Sequence, residues 1–276
     1  VDQTIAQSQE VLELPRLKFK VDTGFFGKLF LLPSAYSARK NDDGKTLEDV
    51  LPPPVYAHWQ SLKQQYLGND RGIERWRPIF AGLELYKKAL KKNGLRNAEP
   101  IRNAIEALAK QHAVKQTPVQ YQLEIKQPRQ AIKAFKSSGL DDVECFSRTL
   151  DAIDRDIPNM TARANAWATG DLDSLRKLPD SNRRDACVAA ITEADFARKL
   201  GISDVPERIR ATWLAAARAA LAAHAQTFAL LPMDEVLSAN GPLARLKAEG
   251  YAVASPEDED DAPTSAGSAG TSGGVR

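Results

Sequence analysis

Glu13 and Glu124 stand in the settings where chemistry would be expected. Each lies in an apolar run with a strand pattern, Val11-Leu12-Glu13-Leu14-Pro15 and Gln122-Leu123-Glu124-Ile125. A carboxylate in such a run costs desolvation free energy unless it is paired, metal-bound or at an exposed edge. Two acids at strand ends could face one cleft. The plain alternative puts each on the solvent side of its strand, as two-residue alternation permits. Other chemistries lack their patterns. His58, His112 and His224 lie on separate predicted amphipathic helices, the usual setting of surface or satisfied histidines. The chain has no H-E-x-x-H, no G-x-S-x-G, no P-loop and no dinucleotide fingerprint. No Cys/His spacing suggests zinc.

The elements that must position these acids alternate between short strands and longer helices. Gln9 to Leu14 reads as a strand closed by Pro15, and a β-rich or irregular stretch runs from Leu17 to Tyr36. Thr46 caps a helical turn over 46–51, and Val55 to Tyr66 is helical by the spacing of Val55, Trp59, Leu62 and Tyr66. Further helices are predicted over 73–80, 80–92 and 101–112, with Gly94 as a stop. Pro118 to Ile125 alternates as a strand. Helices follow over 128–137, 141–156, 158–169, 171–177, 182–199 and 206–224. Phe228 to Leu231 and Tyr251 to Val253 read as the last two strands. Strands separated by helices predict an α/β, helix-rich single domain around a small mixed or parallel sheet. That domain is expected over 1–254. The acid run Pro256 to Asp261 and the Ala/Ser/Thr/Gly residues after it predict a disordered tail over 255–276.

With 276 residues, the chain is long enough for a substantial core. A net charge of +2 gives no global basic field for nucleic acid. The basic clusters at Arg71 to Arg77, Lys87 to Lys92 and Arg183-Arg184 read as solvated helix faces. Arg75-Trp76-Arg77-Pro78 and Ala164 to Trp167 read as helix anchors against a core. No apolar run approaches the roughly 18 residues a membrane helix needs. Val1 to Ser8 looks like the interior of a helix, so the chain is expected to begin within a larger product. Cys145 and Cys187 both fall on predicted helices. They are either two buried small hydrophobes or one bridge between neighbouring helices in an oxidising compartment.

Several segments together resemble the TraB/GumN family, relatives of the Tiki-type metalloproteases. They are Thr46-Leu47-Glu48-Asp49-Val50-Leu51-Pro52-Pro53 with Val55-Tyr56-Ala57, Trp76-Arg77-Pro78, Leu123-Glu124, Trp167-Ala168-Thr169-Gly170-Asp171-Leu172, and Thr227 to Val253. The resemblance implies a fold like those of ChaN and erythromycin esterase, and a bacterial periplasmic or secreted location with the signal peptide removed. It also implies a divalent metal, manganese or cobalt, held by two G-x-x-H motifs and glutamates, whose bound water would be the nucleophile of a peptidase. The first G-x-x-H would precede Val1. The second falls on Pro232-Met233-Asp234-Glu235, where proline and glutamate replace glycine and histidine. The family's later Arg-Asn helix motif has no clear counterpart near Ile191 to Arg198. An active member would therefore have to use Glu13, Glu124 and Glu235, both as its metal ligands and as its catalytic carboxylates. The expectation is a divergent, non-catalytic member with a binding or assembly role and an unidentified partner; a metal-dependent hydrolase is the alternative.

Overall fold

The computed structural model describes residues 1–21, 31, 33, 34, 36–96 and 99–256. Its strands are β1 (Glu10–Leu12), β2 (Arg16–Val21), β3 (Lys115–Thr117), β4 (Gln120–Ile125) and β5 (Thr227–Ala229). The helices before β4 are α1 (Asp2–Gln7), α2 (Leu47–Val50), α3 (Pro53–Tyr66), α4 (Pro78–Lys92) and α5 (Glu99–Gln111). Those after it begin with α6 (Pro128–Ser137), α7 (Val143–Asp151), α8 (Met160–Thr169), α9 (Leu172–Lys177) and α10 (Arg183–Thr192). The last are α11 (Asp195–Leu200), α12 (Val205–Ala223), α13 (Met233–Leu237) and α14 (Pro242–Ala248).

β1 is buried at all its positions, as expected of a strand covered on both faces. It is the middle strand of a parallel sheet ordered β3-β1-β5, with Val11 opposite Gln116 and Phe228. Val11 packs with Ile5 of α1 and with Ile105 and Ala109 of α5. Leu12, of opposite parity, packs with Trp213, Leu214 and Ala217 of α12 and Leu246 of α14. The sheet is thus the middle of three layers, and the fold is α/β, rich in helix.

The sheet is continued by a second parallel pair, β2-β4. Pro15 and Pro118 stand at the joint, where neither needs an N–H. The ladder is carried past them by Glu13 N–H to the Thr117 carbonyl (3.1 Å) and Arg16 N–H to the Val119 carbonyl (2.9 Å). The expected single strands over 9–14 and 118–125 are therefore shorter pieces on either side of this joint. The remainder of the expected β-rich stretch, beyond Val21, falls largely outside the described residues.

The largest core lies elsewhere, among α2, α3, α4 and α7. Trp59, Leu47, Leu85, Phe146 and Leu150 are fully buried there. Thr46 donates its backbone N–H and hydroxyl to Asp49, both at 2.8 Å, and starts α2. Asp171 accepts the Ser174 N–H (2.8 Å) and starts α9. The Thr46 cap lies where the sequence places it, and α9 falls within the helix predicted over 171–177.

Four expectations are corrected. The helix over 182–199 is two helices, because Ala194 is extended (ψ 150°) and Asp195 opens a new first turn. The helix over 141–156 ends in a π turn, with Ile157 N–H bonded to the Ala152 carbonyl five residues back (3.0 Å). Tyr251 to Val253 is not a strand. Gly250, at φ +96°, closes α14 instead, as Tyr251 N–H returns to the Leu246 carbonyl (3.0 Å). Trp167 is half exposed, since Ala166 rather than Trp167 faces α9. The expected tail lies outside the described residues, apart from Ser255 and Pro256. Cys145 of α7 and Cys187 of α10 are joined by a disulfide. No described helix is long and apolar enough to cross a membrane.

Candidate functional site

In parallel α/β sheets, ligand sites form beyond the carboxyl ends of the strands. Here β1 leads there to Pro15, and β5 leads to Leu231-Pro232 and then α13. Pro232 starts α13, and Asp234 and Glu235 occupy its first turn, where acids are favoured by the helix dipole. Gly241 then allows the chain to fold back into α14. A Cβ at that position would overlap the Glu235 carbonyl oxygen, so only glycine fits the turn.

Glu235 is the buried centre of this end, its side chain 8% exposed. Arg210 of α12 donates Nε–H to its Oε2 (2.9 Å) and more weakly to its Oε1 (3.3 Å). Arg184 of α10 reaches Oε1 (3.3 Å) and also pairs with Asp234. Arg210 lies 4.0 Å from Glu207, which is paired with Arg245 of α14. Hydrogen bonds from Arg245 hold the Glu207 carboxyl below its usual range. One chain of alternating charges thus ties α10, α13, α12 and α14 together.

Two cavities meet at this chain. One, of about 400 Å³, is mainly apolar, with Leu17, Phe19 and Leu123 on one wall and Val188, Ile209 and Trp213 on another. The other, of about 650 Å³, lies between α8, α9, α10 and α13. Arg184, Asp185, Arg210 and Glu235 line both.

The three acids singled out from the sequence go separate ways. Glu13 sits at the β1-β2 joint and accepts from Arg16 at 2.8 Å; Arg16 also approaches Glu106 of α5. Glu124 is 42% exposed and pairs across the strands with Lys20 at 3.3 Å. It has the parity opposite to Leu123, whose side chain lines the apolar cavity. Only Glu235 is at the cavities. Each acid is engaged by a cation, and among the described residues no group of three or more His, Cys, Asp or Glu could hold a metal. The donor set present does not fit the divalent metal that the resemblance implies.

The histidines are each beside a carboxylate: His58 with Asp154 and His112 with Asp2, both at 2.7 Å, and His224 with Glu10 at 3.4 Å. Sequence reasoning missed Glu10, Asp142, Asp156 and Arg210. It also read Arg184 as part of a solvated cluster, and gave Arg77 both a solvated-cluster and a helix-anchor reading; the helix-anchor reading holds. Arg77 is buried and donates to the carbonyls of Phe135 (3.1 Å) and Ser138 (2.8 Å). Arg77 is the residue before the Pro78 helix start, within the Arg75 to Pro78 segment read as a helix anchor.

No curated protein and no solved structure matches this chain. A family does match, over residues 29–255, a span that takes in Glu124, the α10–α12 arginines and the Pro232 to Glu235 turn and leaves Glu13 before it. The chain belongs to the TraB/PrgY/gumN family.

Proposed function

We propose that this chain is a non-catalytic, divergent member of its family, with a binding or assembly role in the bacterial envelope. One observation carries the reading: the carboxylate where a second histidine motif would fall is buried between two arginines. Glu235 accepts from Arg210 and Arg184, so a cation would have to compete with two guanidinium groups for its carboxylate. A metal bound there would sit beside two guanidinium groups, and that like-charge repulsion opposes its binding. The disulfide between α7 and α10 supports an oxidising compartment, and hence the envelope.

Calorimetric titration with manganese and with cobalt tests the reading. No saturable heat is expected at micromolar metal, in the wild type or in Glu13→Gln, Glu124→Gln and Glu235→Gln. Micromolar binding that disappears in Glu235→Gln, accompanied by peptide hydrolysis, would instead establish the metal-dependent hydrolase.

A further inference from the structure

We propose that β2 offers an open strand edge on which an extended peptide docks, its apolar side chains flanking a carboxylate. β2 pairs with β4 on one side only. The place on its other side continues the line of β5. But β5 ends at Ala229, level with Leu12, and the chain leaves through Leu231 and Pro232 into α13. Among the described residues no strand pairs with β2 there. Arg16 N–H points to the Val119 carbonyl (2.9 Å). Strand alternation then turns the backbone groups of Lys18 and Lys20 toward β4 and those of Leu17, Phe19 and Val21 toward the open side. Such a row of unpaired N–H and C=O groups is a template for one more strand.

The side chains along this edge define the occupant. Leu17 and Phe19 line the apolar cavity, whose wall continues to Leu231 and Pro232 beyond β5 and so passes under the gap. Phe19 is 58% exposed, an apolar ring without cover in mid-strand. Residues of an added strand opposite Leu17 and Phe19 would share their face and enter that cavity. The residue between them would lie on the other face, beside Lys18. There Lys20 has a cross-strand carboxylate in Glu124 (3.3 Å), and Arg16 has Glu13 and Glu106. Lys18 stands opposite the uncharged Gln122 and has no ion pair among the described residues. A carboxylate on the added strand would supply that pair. A second copy of β2 would bring its own Arg16, Lys18 and Lys20 to the edge and no acid, so charge favours an acidic peptide over self-pairing. The inference rests on the binding role proposed above and names its partner. A chain that binds neither metal nor peptide fails this inference alone, whereas one that binds metal and hydrolyses peptide fails the non-catalytic reading.

The test titrates the full chain with the blocked peptide acetyl-Thr-Leu-Glu-Leu-Thr-amide and with its counterpart carrying Lys in place of Glu, followed by amide NMR. Saturable shifts are expected at the amides of Leu17, Phe19 and Val21, with the Glu peptide bound about two- to fivefold more tightly than the Lys peptide. Lys18→Glu should reverse that order. N-methylation of the peptide, at Glu for a parallel strand or at both Leu for an antiparallel one, should weaken binding by about tenfold as edge hydrogen bonds are lost. No saturation, an order unchanged in Lys18→Glu, or full affinity in both N-methylated peptides would overturn the proposal. So would β2 edge amides already protected from hydrogen exchange in the free monomer, which would place the chain's own residues on the edge. A concentration-dependent dimer that protects the same amides would make a second copy the occupant and equally overturn it. If Lys18→Glu does not fold, the wild-type order of the Glu and Lys peptides and the N-methylated pair decide: equal affinities in either comparison overturn it.

Discussion

Among the described residues, four buried carboxylates divide the work: Glu10, Asp142, Asp156 and Glu235. Burial alone would push Glu10 up. It is outweighed by hydrogen bonds from Lys115 (2.7 Å) and the Thr117 hydroxyl and by the charges of Lys115 and His224, so its carboxyl is held below the usual 4.5. A depressed folded-state value means that stability is present above the unfolded value and lost as pH falls through the folded one. Glu10→Gln should therefore cost about 1–2 kcal/mol at pH 7 and flatten the acid limb of the stability curve below about pH 4.5, as chemical denaturation across pH will show. Asp142 behaves in the opposite way. Burial pushes it up, and the Ile79 N–H it accepts (2.8 Å) and the Arg77 charge only partly offset that. Its ionisation therefore removes stability as pH rises through the raised value. Asp142→Asn keeps an acceptor for the α4 N-terminus without that loss. Its stability relative to wild type should improve from pH 3 to pH 7, whereas Asp142→Ala should cost about 1 kcal/mol or more at every pH. At Glu235 the arginines are themselves 34% and 50% exposed, so Glu235→Gln should cost about 1–3 kcal/mol rather than the larger penalty of stranding two buried charges.

At the scale of elements, α4 packs closely on α7 at Gly82. A Cβ at Gly82 would lie 3.0 Å from Phe146 Cδ2 and 3.5 Å from Thr149 Cγ2. Phe146 is fully buried and is itself fixed against Trp59, ring centroids 5.4 Å apart. Gly82→Ala gains about 1 kcal/mol in helix propensity but overpacks a site that cannot give, a cost of about 1–3 kcal/mol. The net expectation is a loss of up to about 2 kcal/mol, read from the denaturation midpoint; a gain would show that the helices can separate. Local elements were largely legible from the sequence, because proline and polar caps act through backbone groups close at hand. α6 begins at Pro128 and ends at Ser137 as the pattern predicts, and Thr46 caps as expected. Tyr251 to Val253 misled because the same Gly-Tyr pair that could open a strand also closes a helix, and only the fold selects between them. The site was less legible still. The engagement of Glu235 by Arg184 and Arg210 depends on three helices meeting, at sequence separations of 51 and 25, and no local pattern encodes that meeting.

At the scale of the whole molecule, the disulfide ties α7 to α10 across a sequence separation of 42 and encloses α8 and α9, which wall the larger cavity. Closing a loop of that size restricts the unfolded chain, and the double replacement Cys145→Ser, Cys187→Ser should lower stability by about 2–4 kcal/mol. Denatured, unreduced protein should show no reactive thiol. Two thiols, or an unchanged midpoint in the double variant, would contradict the bridge as a stabilising element.

The position of β1 has a consequence for how the chain acquires its structure. Its two neighbours in the sheet are supplied by residues 115–117 and 227–229, so its last neighbour is synthesised more than two hundred residues after it. Until Ala229 has left the ribosome, Val11 and Leu12 lack one side of their pairing, and a strand that ends up buried at every position has an open edge. Folding should thus be a late, slow event governed by contact between distant parts of the chain. Nascent or truncated chains ending before Thr227 should be captured by chaperones and cleaved by limited proteolysis, whereas chains ending just after α14 should resist it.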